Sequence, residues 1–275
     1  ALPKALAALD ASGWASAARA IMTTDTQPKI ASRTAQSGDG VITVTGIAKG
    51  AGMIHPDMAT MLAFLATDAR VGRADLQELL ARAVEASFNG ITVDGDTSTN
   101  DACVLLASGA ASEQPLANDS LAFRAFEQAV FAVCAELAEA IVRDGEGATK
   151  LIRIQVEGAA TVAEAHRVAK TIAHSPLVKT AFFASDPNWG RILAAIGRAG
   201  CAHLDISRIS IWLDTVLIVE QGGRAAGYTE AAGAAVMTQE EILVRVNLGR
   251  GGAKATVLTC DFSYDYVRIN AEYRT

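Results

Sequence analysis

The sequence lacks the features that mark several large classes of protein. It has only four cysteines, which lie far apart and form no Cys-x-x-Cys pair. This spacing excludes a disulfide scaffold and a zinc site of that type, and it indicates reduced cysteines in a reducing compartment. There is no basic run, and the formal net charge is −6. We therefore expect neither a nucleic-acid backbone nor an anionic membrane as the main partner.

Long apolar runs are also missing. Four charged residues interrupt the longest one, residues 121–142, so it does not predict a membrane span. Residues 1–8 show no charged segment followed by an apolar segment, as a signal peptide would. We therefore expect a soluble, cytoplasmic protein. Since the sequence does not begin with methionine, we also expect it to be a piece of a longer one.

What is present is the pattern of a mixed globular protein, with 275 residues of which 51% are hydrophobic and 20% charged. Apolar residues at helical spacing predict helices over residues 74–87, 121–143 and 162–173. Strands are predicted from apolar and β-branched runs at residues 41–45, 102–106, 151–156, 178–183, 209–213, 216–219 and 242–248. This mixture predicts an α/β (α+β mixed) fold.

Two glycine-containing or polar segments are candidates for chemistry. Residues 49–53 (Lys-Gly-Ala-Gly-Met) follow a predicted strand, and composition alone favours a simple turn there, followed by a short helix over residues 58–67. Residues 94–101 form a dense polar run. If Asp94 began an EF-hand loop, residue 99 would have to be glycine and residue 105 glutamate. They are Thr99 and Leu105, so a calcium site of the EF-hand type is excluded. Two interpretations of this run remain: a loop whose side chains hydrogen-bond to its own backbone, or one wall of a polar pocket.

A carboxylate stands between two glycines at Gly145-Glu146-Gly147. Composition alone favours a helix end with a solvent-facing glutamate, whereas a functional site would let a ligand's ammonium group approach closely. The four histidines have no spacing typical of metal ligands, and no metal site is predicted.

Taken together, several segments resemble the ornithine acetyltransferase family of arginine biosynthesis, also called glutamate N-acetyltransferases. They appear in order over essentially the whole chain, at residues 20–26 (AIMTTDT), 49–54 (KGAGMI), 58–62 (MATML), 88–101 (FNGITVDGDTSTND), 143–150 (RDGEGATK), 175–180 (SPLVKT), 186–191 (DPNWGR) and 264–270 (YDYVRIN).

This resemblance implies a precursor that cleaves itself between Ala59 and Thr60. Thr60 would then begin a β chain of 275 − 59 = 216 residues. Its hydroxyl would be the nucleophile and its new α-amine the base, since an α-amine with a pKa of about 7.7–8.0 can accept a proton near neutral pH. The implied fold is that of the self-processing family. The turn at residues 158–162 and the denser strands after it predict a domain boundary, with a nucleophile-bearing domain at residues 1–159 and a smaller strand-rich domain at residues 160–275.

The resemblance also implies the substrate and its binding residues. The acetyl group of N²-acetylornithine would pass to glutamate by a ping-pong mechanism through acetyl-Thr60. The implied binding residues are Thr23, Lys49, Thr60, Glu146, Asn270 and Thr275. We expect Glu146 to bind the ornithine ammonium and Lys49 a substrate carboxylate. No cofactor is implied, although acetyl-CoA serves as a second donor in bifunctional members, and the implied assembly of α and β chains is an α₂β₂ heterotetramer.

Two alternatives stay open. An aminopeptidase or amidase of the related self-processing fold would share Thr60 but would pass the acyl group to water. A non-catalytic binding protein for small amino acids would leave the Ala59–Thr60 bond intact. The segment that forms the family's oxyanion hole is expected upstream of Ala1.

Overall fold

The computed structural model describes residues 2–37, 40–55, 61–97 and 100–273. The chain forms two compact units. Unit 1 comprises residues 1–89 and 97–144, and unit 2 comprises residues 90–96 and 145–275.

Unit 1 contains a four-stranded sheet in the order β1-β2-β3-β4. Its strands are β1 (Lys29–Ser37), β2 (Gly40–Lys49), β3 (Leu62–Thr67) and β4 (Ala102–Ala107). β1 and β2 form an antiparallel hairpin, β3 runs antiparallel to β2, and β4 runs parallel to β3. This order brings the end of β2, which carries Lys49, opposite the start of β3 at Leu62.

The helices of unit 1 are α1 (Leu2–Ala7), α2 (Trp14–Ala20), α3 (Arg73–Ala86) and α4 (Leu121–Arg143). α4 packs across β1 and β2 and also contacts α3. A Cβ atom at Gly46 would lie 3.0 Å from side-chain atoms of Leu65, Val133 and Leu137. Glycine is therefore needed on β2 for α4 to pack this closely.

Unit 2 contains a six-stranded sheet in the order β10-β5-β9-β6-β7-β8. Its strands are β5 (Leu151–Ala159), β6 (Ser210–Leu213), β7 (Val216–Glu220), β8 (Gly223–Arg224), β9 (Glu241–Asn247) and β10 (Ala253–Cys260). β5 and β9 are parallel, and the other pairs are antiparallel. In β5 and β9 apolar residues alternate with polar ones, and the apolar face of each strand is buried in the main core of this unit.

The helices of unit 2 are α5 (Val162–Ala173), α6 (Pro176–Phe183), α7 (Trp189–Gly197), α8 (Glu230–Met237) and α9 (Tyr264–Glu272). α5 packs on β5 and β10, and α8 packs on β6 and β7. The short segment 90–96 joins this unit through a bridge between Ile91 and Leu258, where the Thr92 N–H donates to the Leu258 carbonyl at 2.9 Å.

The predicted mixed α/β class is confirmed. The three predicted helices correspond to α3, α4 and α5. α4 begins at Ser120, whose side chain accepts a hydrogen bond from the Phe123 N–H. The predicted strands other than residues 178–183 lie within or beside β2, β4, β5, β6, β7 and β9.

Two local predictions were wrong. Residues 178–183 form part of α6 rather than a strand, because Pro176 and Ser175 start a helix whose apolar side is buried. The helix predicted over residues 58–67 is contradicted at residues 62–67, which form β3 between β2 and β4. The periodicity of a short apolar run does not distinguish a helix from a strand. Here residues 62–67 form a strand because they pair with the neighbouring strands β2 and β4. Residues 58–60 of that prediction lie outside the described residues.

The domain boundary predicted after residue 159 falls at the end of β5, within unit 2. The assignment of residues 1–159 and 160–275 as domains stays a prediction. Across the four described ranges, no helix is both long enough and apolar enough to cross a lipid bilayer.

Candidate functional site

Four of the predicted site residues are described by the structure, two in each unit. Thr23 and Lys49 belong to unit 1, and Glu146 and Asn270 belong to unit 2. Ala59, Thr60 and Thr275 lie outside the described residues.

Thr23 and Lys49 are linked in unit 1 by a buried carboxylate, that of Asp25. Its Oδ2 accepts a hydrogen bond from the Thr23 N–H at 3.1 Å, and its Oδ1 accepts one from the Gly50 N–H at 2.7 Å. Gly50 directly follows Lys49 at the end of β2. One side chain therefore fixes the backbone at both predicted binding segments of this unit.

Two further charged residues complete this arrangement, which we call the Asp25 cluster (Thr23, Asp25, Lys29, Gly50 and Asp144). Lys29, at the start of β1, donates to Asp25 at 2.5 Å and to Asp144 at 2.6 Å. Asp144 directly follows α4 and also accepts the Thr26 N–H at 3.0 Å. Lys29 and Asp25 are only 3% and 8% exposed. A buried charge is costly unless it is paired with an opposite charge, and the two carboxylates pair with the buried lysine.

The ionisation of Asp25 reflects these contacts. Burial alone would raise the pKa of its carboxyl group. The hydrogen bonds from Gly50, Lys29 and Thr23 and the positive charge of Lys29 outweigh burial and lower the pKa below the ordinary value. Asp25 is therefore a carboxylate at neutral pH.

Glu146 and Asn270 are brought together in unit 2. The Asn270 side-chain amide, on α9, donates to the Glu146 carboxylate at 2.8 Å and to the Tyr266 carbonyl at 3.0 Å. Glu146 is 8% exposed, so the solvent-facing glutamate that composition alone favours is not what the structure shows. The prediction that both residues bind substrate is not tested by this contact, but the contact makes a shared role geometrically possible.

The loop that carries Glu146 is fixed by unit 2 on two sides. We call it the Glu146 loop (residues 145–150). The fully buried Asp261, just after β10, accepts hydrogen bonds from the Thr149 N–H at 2.8 Å, the Thr149 hydroxyl at 2.6 Å and the Lys150 N–H at 2.9 Å. The Ser263 hydroxyl, which also caps α9, donates to the Gly147 carbonyl at 2.6 Å.

Gly147 allows the loop to approach α9 closely. Its φ is +69°, and a Cβ atom there would lie 2.5 Å from the Tyr266 nitrogen. A side chain would therefore both strain the backbone and push the loop away from the helix that carries Asn270. The glycine after Glu146 is required by this packing.

The Glu146 loop has charges of both signs around it, because Asp261 acts on Lys150 and on the buried Lys179, and Asp94 acts on Lys179 as well. Burial raises the pKa of the Tyr266 hydroxyl above its ordinary value, and the charges of Asp94, Asp96 and Glu146 raise it further. Asp94 and Asp96 come from the polar run at residues 94–101, which places this part of the run beside the Glu146 loop within unit 2. The carboxylates that act on Tyr266 favour a cationic ligand group on that side of the loop.

Sequence reasoning missed the supporting carboxylates Asp25, Asp144 and Asp261. Asp25 and Asp144 lie inside matching motifs, where an acidic residue beside a predicted binding residue was the available signal. Within the described residues, no group of three or more His, Cys, Asp or Glu side chains is placed to hold a metal ion.

Comparison with known proteins gives a consistent result. The chain matches the ArgJ family over residues 1–275. It is 69% identical over 276 residues to the arginine biosynthesis bifunctional protein ArgJ of Methylococcus capsulatus and covers 67% of that protein. It is 57% identical over 277 residues to the protein of the same name from Pseudomonas fluorescens and covers 68% of it. All of this chain is covered in both cases.

A solved structure shows the same fold. The crystal structure of the arginine biosynthesis bifunctional protein ArgJ from Bacillus halodurans is 43% identical, with a TM-score of 0.74. The match covers 78% of this chain and 100% of the solved chain. The family resemblance read from the sequence motifs is thereby confirmed.

Proposed function

The chain belongs to the ArgJ family, and from that membership we propose that it transfers the acetyl group of N²-acetylornithine to glutamate. In this proposal the Ala59–Thr60 bond is first cleaved by the protein itself, and Thr60 then carries the acetyl group. The relatives are named as bifunctional proteins of arginine biosynthesis, which supports an acetyltransferase role in that pathway. The α₂β₂ assembly implied by the resemblance stays a prediction, as does the cytoplasmic location expected from the sequence.

The observation that carries the proposal is the pairing of Glu146 with Asn270. These residues are far apart in the sequence, were both expected to bind substrate, and are joined by a hydrogen bond of 2.8 Å. The loop is anchored by Asp261, and the nearby negative charge of Asp94 and Asp96 suits the side-chain ammonium group of ornithine.

The length of the solved relative supports cleavage at Thr60. A β chain that begins at Thr60 would contain 216 of the 275 residues. This share is close to the 78% of the present chain that the complete Bacillus halodurans chain covers.

The chemistry of the proposal is that of an N-terminal threonine. For cleavage, the Thr60 hydroxyl attacks the Ala59 carbonyl, the amide nitrogen of Thr60 leaves as an amine, and water hydrolyses the resulting ester. For transfer, the same hydroxyl attacks the acetyl carbonyl of acetylornithine, and ornithine leaves with its α-amine protonated. The α-amine of glutamate then attacks the acetyl ester and restores the hydroxyl. In the two transfer steps, the α-amine of Thr60, which exists only after cleavage, accepts and returns the hydroxyl proton.

The test begins with the intact masses of the wild type, Thr60→Ala and Thr60→Ser. We expect two fragments from the wild type and one uncleaved chain from Thr60→Ala, since cleavage requires the hydroxyl; Thr60→Ser is the matched control because it keeps that group. The cleaved protein is then incubated with acetylornithine without an acceptor, and one acetyl group should appear on Thr60.

Three results would contradict the proposal. Normal cleavage of Thr60→Ala would remove Thr60 from that role. Acetylornithine consumed equally fast with and without glutamate would indicate an amidase. An uncleaved wild type that binds amino acids without transfer would indicate a binding protein. A parallel assay with acetyl-CoA as donor tests whether this chain is bifunctional.

A further inference from the structure

A lysine is buried in unit 2 beside the segment that connects β10 to α9. Lys179 lies on α6 and is only 1% exposed. Its ammonium group donates hydrogen bonds to the Thr259 hydroxyl at 2.9 Å and to the Cys260 carbonyl. The same group lies 4.5 Å from the centre of the Phe262 ring, and the Lys179 carbonyl accepts the Phe262 N–H at 3.3 Å. One residue of α6 therefore holds the segment 259–262 at several points.

These contacts suit a charged ammonium group. Its three N–H donors match one hydroxyl, one carbonyl and the negative face of an aromatic ring. Burial lowers the pKa of Lys179 below the ordinary value, whereas the charges of Asp261 and Asp94 act in the opposite direction. Burial of a charge is costly, and an apolar side chain of similar size would fill the same space without that cost. A costly charge whose hydrogen bonds and ring contact all lie on one short segment indicates that the position of this segment matters.

The same segment anchors Glu146. Asp261 lies between two residues that Lys179 contacts, and it accepts hydrogen bonds from Thr149 and Lys150. Thr149 and Lys150 form the end of the Glu146 loop. The position of Asp261 therefore determines where this loop ends and how far Glu146 reaches.

The segment also supports Asn270. The Phe262 ring stacks on the Tyr266 ring, with centroids 4.5 Å apart and an angle of 17° between the ring planes. Tyr266 lies one turn before Asn270 on α9, and its carbonyl accepts a hydrogen bond from the Asn270 amide at 3.0 Å. The same amide nitrogen donates to Glu146 at 2.8 Å. Since both hydrogens of the amide are used in this way, Asn270 Oδ1 is the atom that can accept a hydrogen bond from a ligand.

We propose that Lys179 is a positioning residue for substrate binding. By holding residues 259–262, it sets the distance between two acceptors, the Glu146 carboxylate and Asn270 Oδ1. Together these acceptors bind the side-chain ammonium group of acetylornithine. Lys179 does not touch the ligand; it supports Glu146 through Asp261 and Asn270 through the two stacked rings. This inference rests on the proposed function, because it takes acetylornithine as the substrate.

The decisive variant is Lys179→Met, which keeps the apolar stem but removes the ammonium group. We expect normal cleavage and a KM for acetylornithine that rises about fivefold at saturating glutamate, with kcat changed less than about twofold. A merely structural defect would reduce the fraction of active protein and so lower kcat at an unchanged KM. Lys254→Met, which removes an exposed lysine of β10 in the same unit, is the matched control and should change neither constant.

A second set of variants decides the question if Lys179→Met fails to fold. Tyr266→Leu removes the ring that stacks on Phe262 and should raise KM about threefold to fivefold. Tyr266→Phe keeps the ring and should recover most of the affinity that Tyr266→Leu loses. Tyr264→Leu is the control on the same helix, because it removes a different aromatic contact, the edge contact with Phe183 at 5.4 Å. Its KM should stay within about twofold of the wild type.

A double-variant cycle tests whether Lys179 acts through Asn270. Asn270→Ala removes one of the two acceptors and should itself raise KM. If Lys179 places that acceptor, Lys179→Met should raise KM by a smaller factor in the Asn270→Ala background than in the wild type. Effects that simply multiply would show that the two residues act independently, which contradicts the inference.

The outcomes separate this inference from the proposed function. A wild type that does not transfer acetyl from acetylornithine would overturn both. A wild type that transfers it, together with folded Lys179→Met and Tyr266→Leu variants whose KM is unchanged, would overturn the positioning role alone. A Tyr266→Phe variant that loses as much affinity as Tyr266→Leu would also overturn that role, since the hydroxyl would then act instead of the stacked rings.

Discussion

Each unit uses one buried aspartate to fix a predicted binding segment, but the two aspartates are compensated differently. Asp25 in unit 1 accepts backbone N–H groups of Thr23 and Gly50 and is also paired with Lys29. Asp261 in unit 2 accepts its hydrogen bonds from Thr149 and Lys150. Within the described part of the chain, Asp261 forms no direct ion pair, although its charge acts on Lys150 and on the buried Lys179.

This difference shows two ways to keep a carboxylate inside a protein. Pairing with a lysine makes the cluster depend on charge balance, so removal of one member leaves another charge buried. Hydrogen bonds from the backbone make the site depend on acceptor geometry instead. Variants that change charge or geometry separately should therefore affect the two units unequally.

The largest effect is expected from Lys29→Met. It leaves Asp25 and Asp144 buried without their shared cation, and breaking a buried ion pair in this way costs about 3–5 kcal/mol of folding free energy. Denaturant unfolding measures the loss. Arg33→Met is the control, because its pair with Glu136 is solvent-exposed and should contribute about 1 kcal/mol or less. Equal losses for both variants would show that the Asp25 cluster does not depend on charge pairing.

The next largest effect is expected from Glu146→Gln, which tests substrate binding by Glu146 separately from the anchoring of the Glu146 loop in unit 2. Glu146→Gln keeps the shape of the loop but removes the charge expected to bind ornithine. A charge-assisted hydrogen bond contributes about 1.5–3 kcal/mol, so kcat/KM for acetylornithine should fall roughly tenfold to more than a hundredfold, mainly through KM. Cleavage should be normal, since it involves no ornithine. Steady-state kinetics within twofold of the wild type would mean that Glu146 does not bind the substrate cation.

A somewhat smaller effect on folding is expected from Asp261→Asn. The amide oxygen can keep the N–H groups of Thr149 and Lys150, which both bond to Oδ1, but the NH2 group that replaces Oδ2 turns donor hydrogens toward the Thr149 hydroxyl. A buried donor left unpaired costs about 1–3 kcal/mol, without the unpaired charge of Lys29→Met. Thermal and denaturant unfolding test this order. Asp205→Asn, at an exposed turn where the carboxylate accepts from Ser207, is the control and should shift the midpoint far less.

The smallest expected effect is the loss, at low pH, of the stability that the ionised Asp25 carboxylate contributes. The pKa of Asp25 in the folded protein is below the ordinary 3.8, so its ionised form contributes stability that is present above that pH. This contribution is lost as pH falls through the lower folded value. The stability difference between wild type and Asp25→Asn should therefore be constant near neutral pH and shrink below about pH 4. Unfolding curves between pH 2 and 7 would contradict this if the difference grew in acid.

The comparison also shows which features the sequence could predict. The helices α3, α4 and α5 are long enough for their apolar periodicity to be read directly. β3 and α6 are not, because runs such as Leu62–Thr67 take their structure from strands and helices distant in the sequence. The family motifs identified Glu146 and Asn270 separately, but neither motif indicates that the two side chains lie within hydrogen-bond distance of each other.

The anchoring residues were harder to predict for a physical reason. Asp25 and Asp261 contact backbone N–H groups, which every residue except proline has, so no partner residue type marks the contact in the sequence. Charges and hydroxyls can be counted from a sequence, whereas their burial cannot.

The pairing of segment 90–96 with β10 has a consequence for the timing of synthesis. Thr92 hydrogen-bonds to Leu258, and at about 5–20 residues per second Leu258 is made roughly 8–30 s after Thr92. During that interval the segment 90–96 has no strand to join, although all of unit 1, to which this segment does not belong, has been synthesised by residue 144. Self-cleavage that requires the folded protein would then be withheld from nascent chains until β10 is complete, and ribosome-bound chains stopped before Ala253 should remain in one piece.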